Sequence, residues 1–225
     1  MSCPICGGSG LTDREVLWAE LISEWALSPV ETDYINRQQG TQCVSCGANL
    51  RSQVLADAIL SCLDQAAPLE VLLSTTSLDI LEINAAGDLH RHLAAVPSHV
   101  LAQYPEVDMM DLPYDDGRFD LVVHSDTLEH VPHPVRALAE CRRVLKPSGV
   151  LCYTVPSIVG RLSRRRDGLQ PSYHGTSVER PEDYVVVSEY GADMWTEPLL
   201  AGFGSVQIFA RDFPAALALL ARRRD

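Results

Sequence analysis

From residue 51 onward, apolar and polar positions form two kinds of segment. Short, nearly continuous apolar runs are typical of strands buried on both faces, and they occur at 79–83, 119–125 and 149–155. We also predict a strand at 99–104. Apolar residues at helical spacing lie between or before these runs, in 51–65, 88–96 and 135–145. Strands that alternate with helices predict a doubly wound, mostly parallel α/β sheet covered on both faces.

The C-terminal part of the chain follows a less regular pattern. Residues 189–210 are predicted to form a helix, a glycine-rich turn and a strand. The run ALALLARRRD at 216–225 has the composition of a helix with a basic end, which is favourable at a helix C-terminus. We therefore expect one more strand and a terminal helix in this part of the chain.

Residues 1–50 differ from the rest and are predicted to form a separate small module. Thr12 to Leu27 is predicted to be an amphipathic helix, because Thr12 and Glu15 have the spacing of a capping box and apolar residues recur at helical spacing. The remaining residues, 51–225, are sufficient for one α/β domain.

Four of the seven cysteines form two C-x-x-C pairs in this module: Cys3, Cys6, Cys43 and Cys46. The start of the chain lacks the apolar run of a secretion signal, so paired cysteines indicate a metal site rather than disulfides. Four thiolates match the tetrahedral coordination of structural zinc, and a bound metal stabilises a module of this size. A redox pair and plain buried cysteines are the alternatives.

The charge of the chain limits the classes of partner. The formal net charge is −12 and Lys146 is the single lysine, whereas proteins that bind nucleic acid or anionic membranes generally carry basic surfaces. No apolar run approaches the roughly 20 residues of a membrane-spanning helix. We therefore expect a soluble, cytoplasmic protein, and nucleic acid is not the expected partner.

Ligands of doubly wound sheets bind beyond the carboxyl ends of the strands, so residues that follow each predicted strand are candidate site residues. The first strand ends in Glu82 and a loop with one glycine, Gly87. Asp108 precedes a tight turn with two methionines, which offer polarisable contacts to a flat ring. Each acid taken alone favours a helix cap or a turn.

Several motifs occur in order after the first strands: Asp108, Leu112-Pro113, Phe119-Asp120, Leu128-Glu129-His130 and RVLKPSG at 143–149. In this order and spacing they resemble class I S-adenosylmethionine-dependent methyltransferases, the type 11 family in particular. The resemblance covers residues 78–156 well and the rest weakly. It implies a Rossmann-like methyltransferase fold, S-adenosylmethionine as cofactor, and transferase activity.

The resemblance implies that Glu82 and the loop Asn84–Gly87 hold the amino-acid end of the cofactor. Three glycine positions of the family loop are here Asn84, Ala86 and Asp88. Asparagine is the non-glycine residue that most readily takes a positive φ. We therefore predict that the loop keeps its shape if Asn84 takes a positive φ and Gly87 keeps the backbone open.

The resemblance assigns further cofactor contacts to the next strand ends: Gln103, Tyr104, Asp108, Met109, His124 and Ser125. Asp108 would accept the adenine amine beside the Met109 backbone, and His124 and Ser125 would form the pocket floor near the sulfonium. The family has an acid near the ribose, where this chain has neutral residues that hydrogen bond more weakly. Glu106 is a possible substitute for that acid.

Two histidines near the implied methyl donor, His130 and His124, are candidate catalytic bases because the unperturbed pKa of histidine lies near neutrality. A structural hydrogen bond is the alternative role for each. Asp126 and Glu129 stand at capping-box spacing, which predicts the start of a helix.

Residues 156–190 match the family weakly and are predicted to be a substrate-specific insertion. The candidate substrate contacts in it are Arg161, Arg164, Tyr173 and His174. Arginines would suit a phosphate or carboxylate on the substrate, and a solvated turn is the alternative.

Three functions follow from these features. The first is methyl transfer from S-adenosylmethionine to a small-molecule or glycosidic acceptor. The second is a non-catalytic methyltransferase-like module that docks a protein partner, or a second copy of the chain, through its zinc knuckles. The third is an RNA methyltransferase that grips RNA with the zinc module, which the acidic charge opposes.

Overall fold

The computed structural model describes residues 2–63, 67–173 and 184–224. The strands of these residues are β1 (Leu11–Thr12), β2 (Gln42–Cys43), β3 (Ile80–Ile83), β4 (His99–Ala102), β5 (Phe119–Ser125), β6 (Leu145–Thr154), β7 (Ser157–Ile158), β8 (Arg164–Arg165), β9 (Ser188–Gly191), β10 (Ser205–Arg211) and β11 (Ala216–Arg222). The helices are α1 (Ala19–Glu24), α2 (Pro29–Gly40), α3 (Leu50–Leu63), α4 (Leu69–Leu73), α5 (His90–Leu93), α6 (Pro134–Val144) and α7 (Thr196–Leu200). Short 3₁₀ turns lie at Gly87–Leu89 and Leu128–His130.

The central sheet has six strands in the order β10-β11-β6-β5-β3-β4. The four strands β4, β3, β5 and β6 are mutually parallel, and β11 and β10 complete the sheet in antiparallel pairs. In the register of β3 and β5, Ile83 lies opposite His124, so both strands end at the same edge. The predicted doubly wound, mostly parallel α/β sheet is confirmed.

Both faces of this sheet are covered, as the near-continuous apolar strands predict. Along β6, Val150 and Cys152 belong to the apolar cluster that contains α3, whereas Leu151 and Tyr153 belong to the cluster that contains α6. Successive side chains of a strand point to opposite faces, so the helices α3 and α6 cover opposite sides. None of the helices in the described part of the chain combines the length and apolar character needed to cross a membrane.

The predicted C-terminal helix is wrong, because residues Ala216–Arg222 form strand β11 between β6 and β10. Ala218 and Leu220 face the α3 side, and Leu217 and Leu219 face the α6 side. Alanine and leucine have high helix propensity, but a continuous apolar run suits a central strand that is buried on both faces. Tertiary packing therefore overrides local propensity here.

The predicted helix from Thr12 to Leu27 is largely wrong. Thr12 lies in β1 and pairs with Gln42, and only Ala19–Glu24 of this segment is helical. The capping box of the region is instead at Ser28, which accepts the Glu31 N–H while Glu31 accepts the Ser28 N–H, at the start of α2. The sequence analysis did not identify this longer helix.

The second cysteine knuckle leads directly into α3, which joins the N-terminal region to the sheet. Asn49 caps α3 by accepting the Ser52 N–H, and the Asn49 N–H is itself bound by the carboxylate of Asp88 at 3.0 Å. Ile5 of the first knuckle shares one apolar cluster with Ile80 of β3. Residues of the N-terminal region therefore belong to the same apolar core as α3 and one face of the sheet.

Candidate functional site

The loop after β3 has the conformation that the sequence analysis required. Asn84 has a φ of 52° and Gly87 a φ of 55°. The Asn84 N–H donates to the Ala102 carbonyl at 2.8 Å, and its Oδ1 accepts the Tyr104 N–H at 3.0 Å. Asparagine tolerates the left-handed region, and here its side chain also links the loop to the end of β4.

Glu82 supports this loop from beneath. Its side chain is completely buried, Oε1 accepts the Ala86 N–H at 2.7 Å, and Oε2 contacts His90 Nδ1 at 2.8 Å and His99 Nε2 at 2.7 Å. Glu82 lines neither of the two cavities described below. The geometry therefore makes Glu82 a residue that positions the loop, rather than the predicted direct contact to a cofactor.

A cavity of about 970 Å³ opens beyond the carboxyl ends of β3, β4 and β5. It is lined by six of the predicted cofactor-binding residues: Asn84, Gln103, Tyr104, Asp108, Met109 and Ser125. Asp108 Oδ1 accepts the Met110 N–H at 2.8 Å, and a carboxylate has lone pairs for further donors. The sheet thus brings together residues that are separated by up to about forty positions in the sequence.

His124 lies outside this cavity. Its ring is fully buried and stacks on Tyr153 with 4.7 Å between ring centroids, and neither ring nitrogen has a hydrogen-bond partner among the described residues. Burial lowers the pKa of His124 to about 3. The predicted roles of His124 as pocket floor and as base are not supported, because a neutral core ring cannot exchange a proton with a ligand.

His130 lies where this cavity meets a second, smaller one. Its Nδ1 is 3.0 Å from the Val185 carbonyl, which can only accept, so Nδ1 carries the hydrogen and Nε2 is the basic nitrogen. Burial lowers the pKa of His130, so the ring is neutral near pH 7. The hydrogen bond to Val185 and the lowered pKa both favour a neutral ring with its lone pair on Nε2.

Glu129 and Asp126 do not form the predicted helix cap. Glu129 lies in the 3₁₀ turn, where no side chain caps the N-terminus. Burial, together with the nearby charge of Asp126, raises the pKa of Glu129 well above its usual value. Glu129 Oε1 lies 3.5 Å from His130 Nε2. Both acids line the candidate site. The sequence analysis assigned them to a helix cap and did not predict this position.

Arg51 is a site residue that the sequence analysis missed. It extends from the first turn of α3 and donates to Asp126, whose other oxygen accepts the Thr154 hydroxyl at 2.9 Å. The sequence offers one signal for Arg51, which is its position in the first turn of α3, five residues after Cys46. The guanidinium of Arg51 balances the negative charge of the Asp126 carboxylate at the junction of the two cavities.

The second cavity has a volume of about 370 Å³. Residues shared with the larger cavity mark the junction: Ala85, Ser125, Asp126, His130 and Tyr184. Much of the remaining wall comes from apolar side chains of the N-terminal region: Val16, Leu17, Trp18, Leu21, Trp25, Leu27 and Ile35. Gly87 lines this cavity rather than the larger one.

The predicted substrate arginines have other partners and line neither cavity. Arg161 binds Glu31 through two nitrogens at 2.8 and 2.9 Å and also donates to the Trp25 and Ala26 carbonyls. Arg164 binds Glu189 at 2.7 Å. Because both guanidinium groups are already paired, the structure gives no support to their predicted contact with an anionic substrate.

The two remaining substrate predictions have different outcomes. Tyr173 is about half exposed, forms an isolated bridge with Val185 and lines neither cavity. His174 lies outside the described residues.

The four N-terminal cysteines lie together. Sγ of Cys3 is 3.7 Å from Sγ of Cys46, Sγ of Cys6 is 3.8 Å from Sγ of Cys43, and all four sulfurs lie within 4.8 Å of one another. A tetrahedral zinc with bonds of about 2.3 Å to sulfur requires sulfurs about 3.8 Å apart. The arrangement therefore fits a zinc ion held by four thiolates.

Comparison with known proteins relates part of this chain to methyltransferases. Residues 44–153 match a family model described as a methyltransferase domain. The chain is 34% identical over 123 residues to a probable S-adenosylmethionine-dependent methyltransferase of Mycolicibacterium smegmatis, which covers 52% of this chain and 48% of that protein. It is 30% identical over 133 residues to a ubiquinone biosynthesis O-methyltransferase of Xanthomonas oryzae pv. oryzae, with coverages of 56% and 48%.

A third relative is a 27-O-demethylrifamycin SV methyltransferase of Amycolatopsis mediterranei, 32% identical over 95 residues, which covers 40% of this chain and 34% of that protein. The chain spans about half, or less, of the length of each of these relatives. The predicted resemblance to S-adenosylmethionine-dependent methyltransferases is confirmed for the matched segment.

Proposed function

We propose that this protein, in which residues 44–153 match a methyltransferase domain, transfers a methyl group from S-adenosylmethionine to a small-molecule acceptor. The observation that carries the proposal is the larger cavity, because it lies at the carboxyl ends of the parallel strands and is lined by six residues at the positions expected for the cofactor.

We assign residues of this cavity to the successive parts of the cofactor. The Asn84 carbonyl and the Ala85 N–H, in the loop that lines the cavity, would hold the amino-acid end. Gln103 and the Tyr104 region would face the ribose, and Asp108 would accept the adenine amine. S-adenosylmethionine, when bound, supplies a methyl group on a positively charged sulfur.

His130 is the proposed general base. Nε2 of His130 would take the proton of the acceptor hydroxyl as its oxygen bonds to the methyl carbon, and the electron pair of the broken carbon–sulfur bond would stay on sulfur. The Val185 carbonyl keeps Nε2 unprotonated before the reaction, because it holds the hydrogen on Nδ1. Alignment of donor and acceptor supplies the rest of the rate enhancement.

The cysteine cluster is proposed to hold structural zinc, since four thiolates leave no open coordination position for catalysis. Free thiolates persist in reducing compartments, which is consistent with a cytoplasmic protein. The docking of a protein partner or a second copy through the knuckles, and the binding of RNA, stay predictions. The net charge of −12 weighs against RNA.

Calorimetric titration with S-adenosylhomocysteine tests the proposed function. We expect binding by the unaltered protein and about 10-fold weaker binding by Asp108→Ala, because the substitution removes the acceptor for the adenine amine. Asp115→Ala, which changes an exposed acid outside the cavity, serves as the control. Failure of the unaltered protein to bind the ligand at millimolar concentration would exclude the proposed function.

A further inference from the structure

The smaller cavity meets the larger one at the residues that would carry out the reaction. Ser125, Asp126 and His130 line both cavities. In-line transfer requires the acceptor atom about 3–3.5 Å from the methyl carbon. If the larger cavity holds the cofactor, the smaller cavity is therefore the space from which an acceptor reaches the methyl group.

The volume of the smaller cavity limits the size of its ligand. An apolar cavity of about 150 Å³ holds benzene, and this cavity measures about 370 Å³. It has room for a compact molecule of about two rings, and an oligosaccharide or a polymer could place only one end in it. Among its lining residues, Trp18 is 54% exposed, whereas Trp25 and Ile158 are buried.

The charges around the cavity balance one another. Arg51 is paired with Asp126, and burial favours the uncharged forms of Glu129 and His130. The candidate arginines outside the cavity are paired elsewhere. A charged acceptor would therefore lose its hydration without gaining a partner of opposite charge.

Two residues that line the cavity have a buried side-chain atom without a hydrogen-bond partner among the described residues, Nε of Arg51 and Oε2 of Glu129, and only the carboxyl oxygen can accept a hydrogen bond. Glu129 is 2% exposed and lines the cavity, and its Oε2 has no hydrogen-bond partner among the described residues. A buried carboxyl oxygen without a partner costs free energy, which a hydroxyl group on a ligand would recover. The same residue lies beside the basic nitrogen of His130.

We propose that the smaller cavity binds the methyl acceptor, and that this acceptor is an uncharged, mainly apolar ring compound whose hydroxyl group hydrogen bonds to Glu129. The inference rests on the proposed function and specifies its substrate class. It also makes the N-terminal region, through Leu21 and the two tryptophans, the wall that selects the acceptor.

Three contacts attach this wall to the segment that follows β7. Trp25 Nε1 donates to the Ser172 hydroxyl at 2.9 Å, and Arg161 binds both Glu31 and the Trp25 carbonyl. Arg161, which the sequence analysis predicted to contact the substrate, thus holds the wall of the acceptor cavity in place without lining the cavity itself.

The test uses 2-naphthol as a probe, with ligand-observed nuclear magnetic resonance in the presence of S-adenosylhomocysteine. We expect submillimolar binding of 2-naphthol, at least 10-fold weaker binding of 2-naphthoate, and no binding of methyl β-glucoside. Leu21→Trp fills the cavity and should weaken 2-naphthol binding at least 10-fold. Val30→Trp places the same ring on the exposed side of α2 and should leave it unchanged.

Glu129→Leu tests the hydroxyl contact. The unaltered protein should prefer 2-naphthol to naphthalene by about 10-fold, and the variant should lose this preference. The inference is overturned if Leu21→Trp binds 2-naphthol as tightly as the unaltered protein, or if the glucoside or 2-naphthoate binds better than 2-naphthol. S-adenosylhomocysteine binding, measured separately, distinguishes these results from failure of the proposed function.

Discussion

At the scale of single residues, Asn84 decides whether a loop with one glycine keeps its shape. Its φ of 52° is in the left-handed region, and its side chain binds the Tyr104 N–H. The two contributions are separable, because glycine keeps the conformation without the hydrogen bond, whereas alanine loses both.

We therefore expect Asn84→Ala to weaken S-adenosylhomocysteine binding about 10-fold and Asn84→Gly to weaken it less. The left-handed conformation costs a non-glycine residue about 1 kcal/mol or more, and the lost hydrogen bond adds about 1 kcal/mol. Calorimetric titration of both variants measures the difference. Equal affinities of Asn84→Ala and the unaltered protein would mean that this conformation does not matter for the ligand.

His130 is the residue for which pH dependence is informative. Burial lowers its pKa, so it stays in the basic form down to a pH below the ordinary histidine value of about 6.5. A base acts when deprotonated, so kcat/KM should fall on the acid side with a midpoint below about 6.5. The measurement is a profile of kcat/KM against pH once an acceptor is known.

His130→Gln should lower kcat by about 10²-fold or more and remove this acid limb, since general-base catalysis contributes about that much. His133→Gln, an exposed histidine three residues away, is the matched control and should keep both the rate and the limb. An unchanged profile in His130→Gln would assign the proton transfer to another group.

At the scale of elements, α3 couples the cysteine cluster to the cavities. Its N-terminal turn is held by Asp88 of the loop after β3, and its Arg51 reaches Asp126 at the end of β5. The knuckle that contains Cys43 and Cys46 immediately precedes this turn. Loss of a bound metal should therefore disturb residues at both strand ends.

We expect the purified protein to contain about one zinc per chain, and Cys43→Ser to lose it. Because metal binding is coupled to folding, the variant should melt several degrees lower and bind S-adenosylhomocysteine about 10-fold more weakly. Elemental analysis and thermal melting measure these effects. Cys62→Ser, in α3 but outside the cluster, should retain the metal. A zinc-free unaltered protein would contradict the proposed metal site.

At the scale of the whole molecule, the N-terminal region and the sheet share one apolar cluster. Ile5 and Leu50 belong to it together with Ile80, Leu121 and Leu220. Removal of residues 1–49 would expose to water the apolar surface that these residues cover, on the outer side of α3 and beside β11. The division of the chain into domains at residue 50 is therefore open to a direct test.

We expect a chain that begins at Leu50 to lack a cooperative thermal transition, because α3 would lose the apolar contacts with the N-terminal region that help to hold it on the sheet. Near-ultraviolet circular dichroism and thermal melting of the truncated and full chains measure this. A truncated chain that melts cooperatively and binds S-adenosylhomocysteine would instead identify residues 1–50 as an independent module.

The sequence by itself determined features that depend on local spacing. Apolar runs of strand length identified β3, β5 and β6, because a strand buried on both faces needs apolar side chains at every position. The two C-x-x-C pairs predicted that Cys3, Cys6, Cys43 and Cys46 lie in one cluster. Asn84 was identified as the residue that decides the loop, since few residue types accept a positive φ.

Only the tertiary structure decided which distant groups meet. Residues 216–221 form a central strand because β6 and β10 pair with it on either side. Arg161 binds Glu31 because the start of α2 lies next to it. His124 entered the core, whereas Arg51 and Glu129 reached the cavities. Local spacing carries no information on these pairings, because the free energy of each contact depends on packing between segments far apart in the chain.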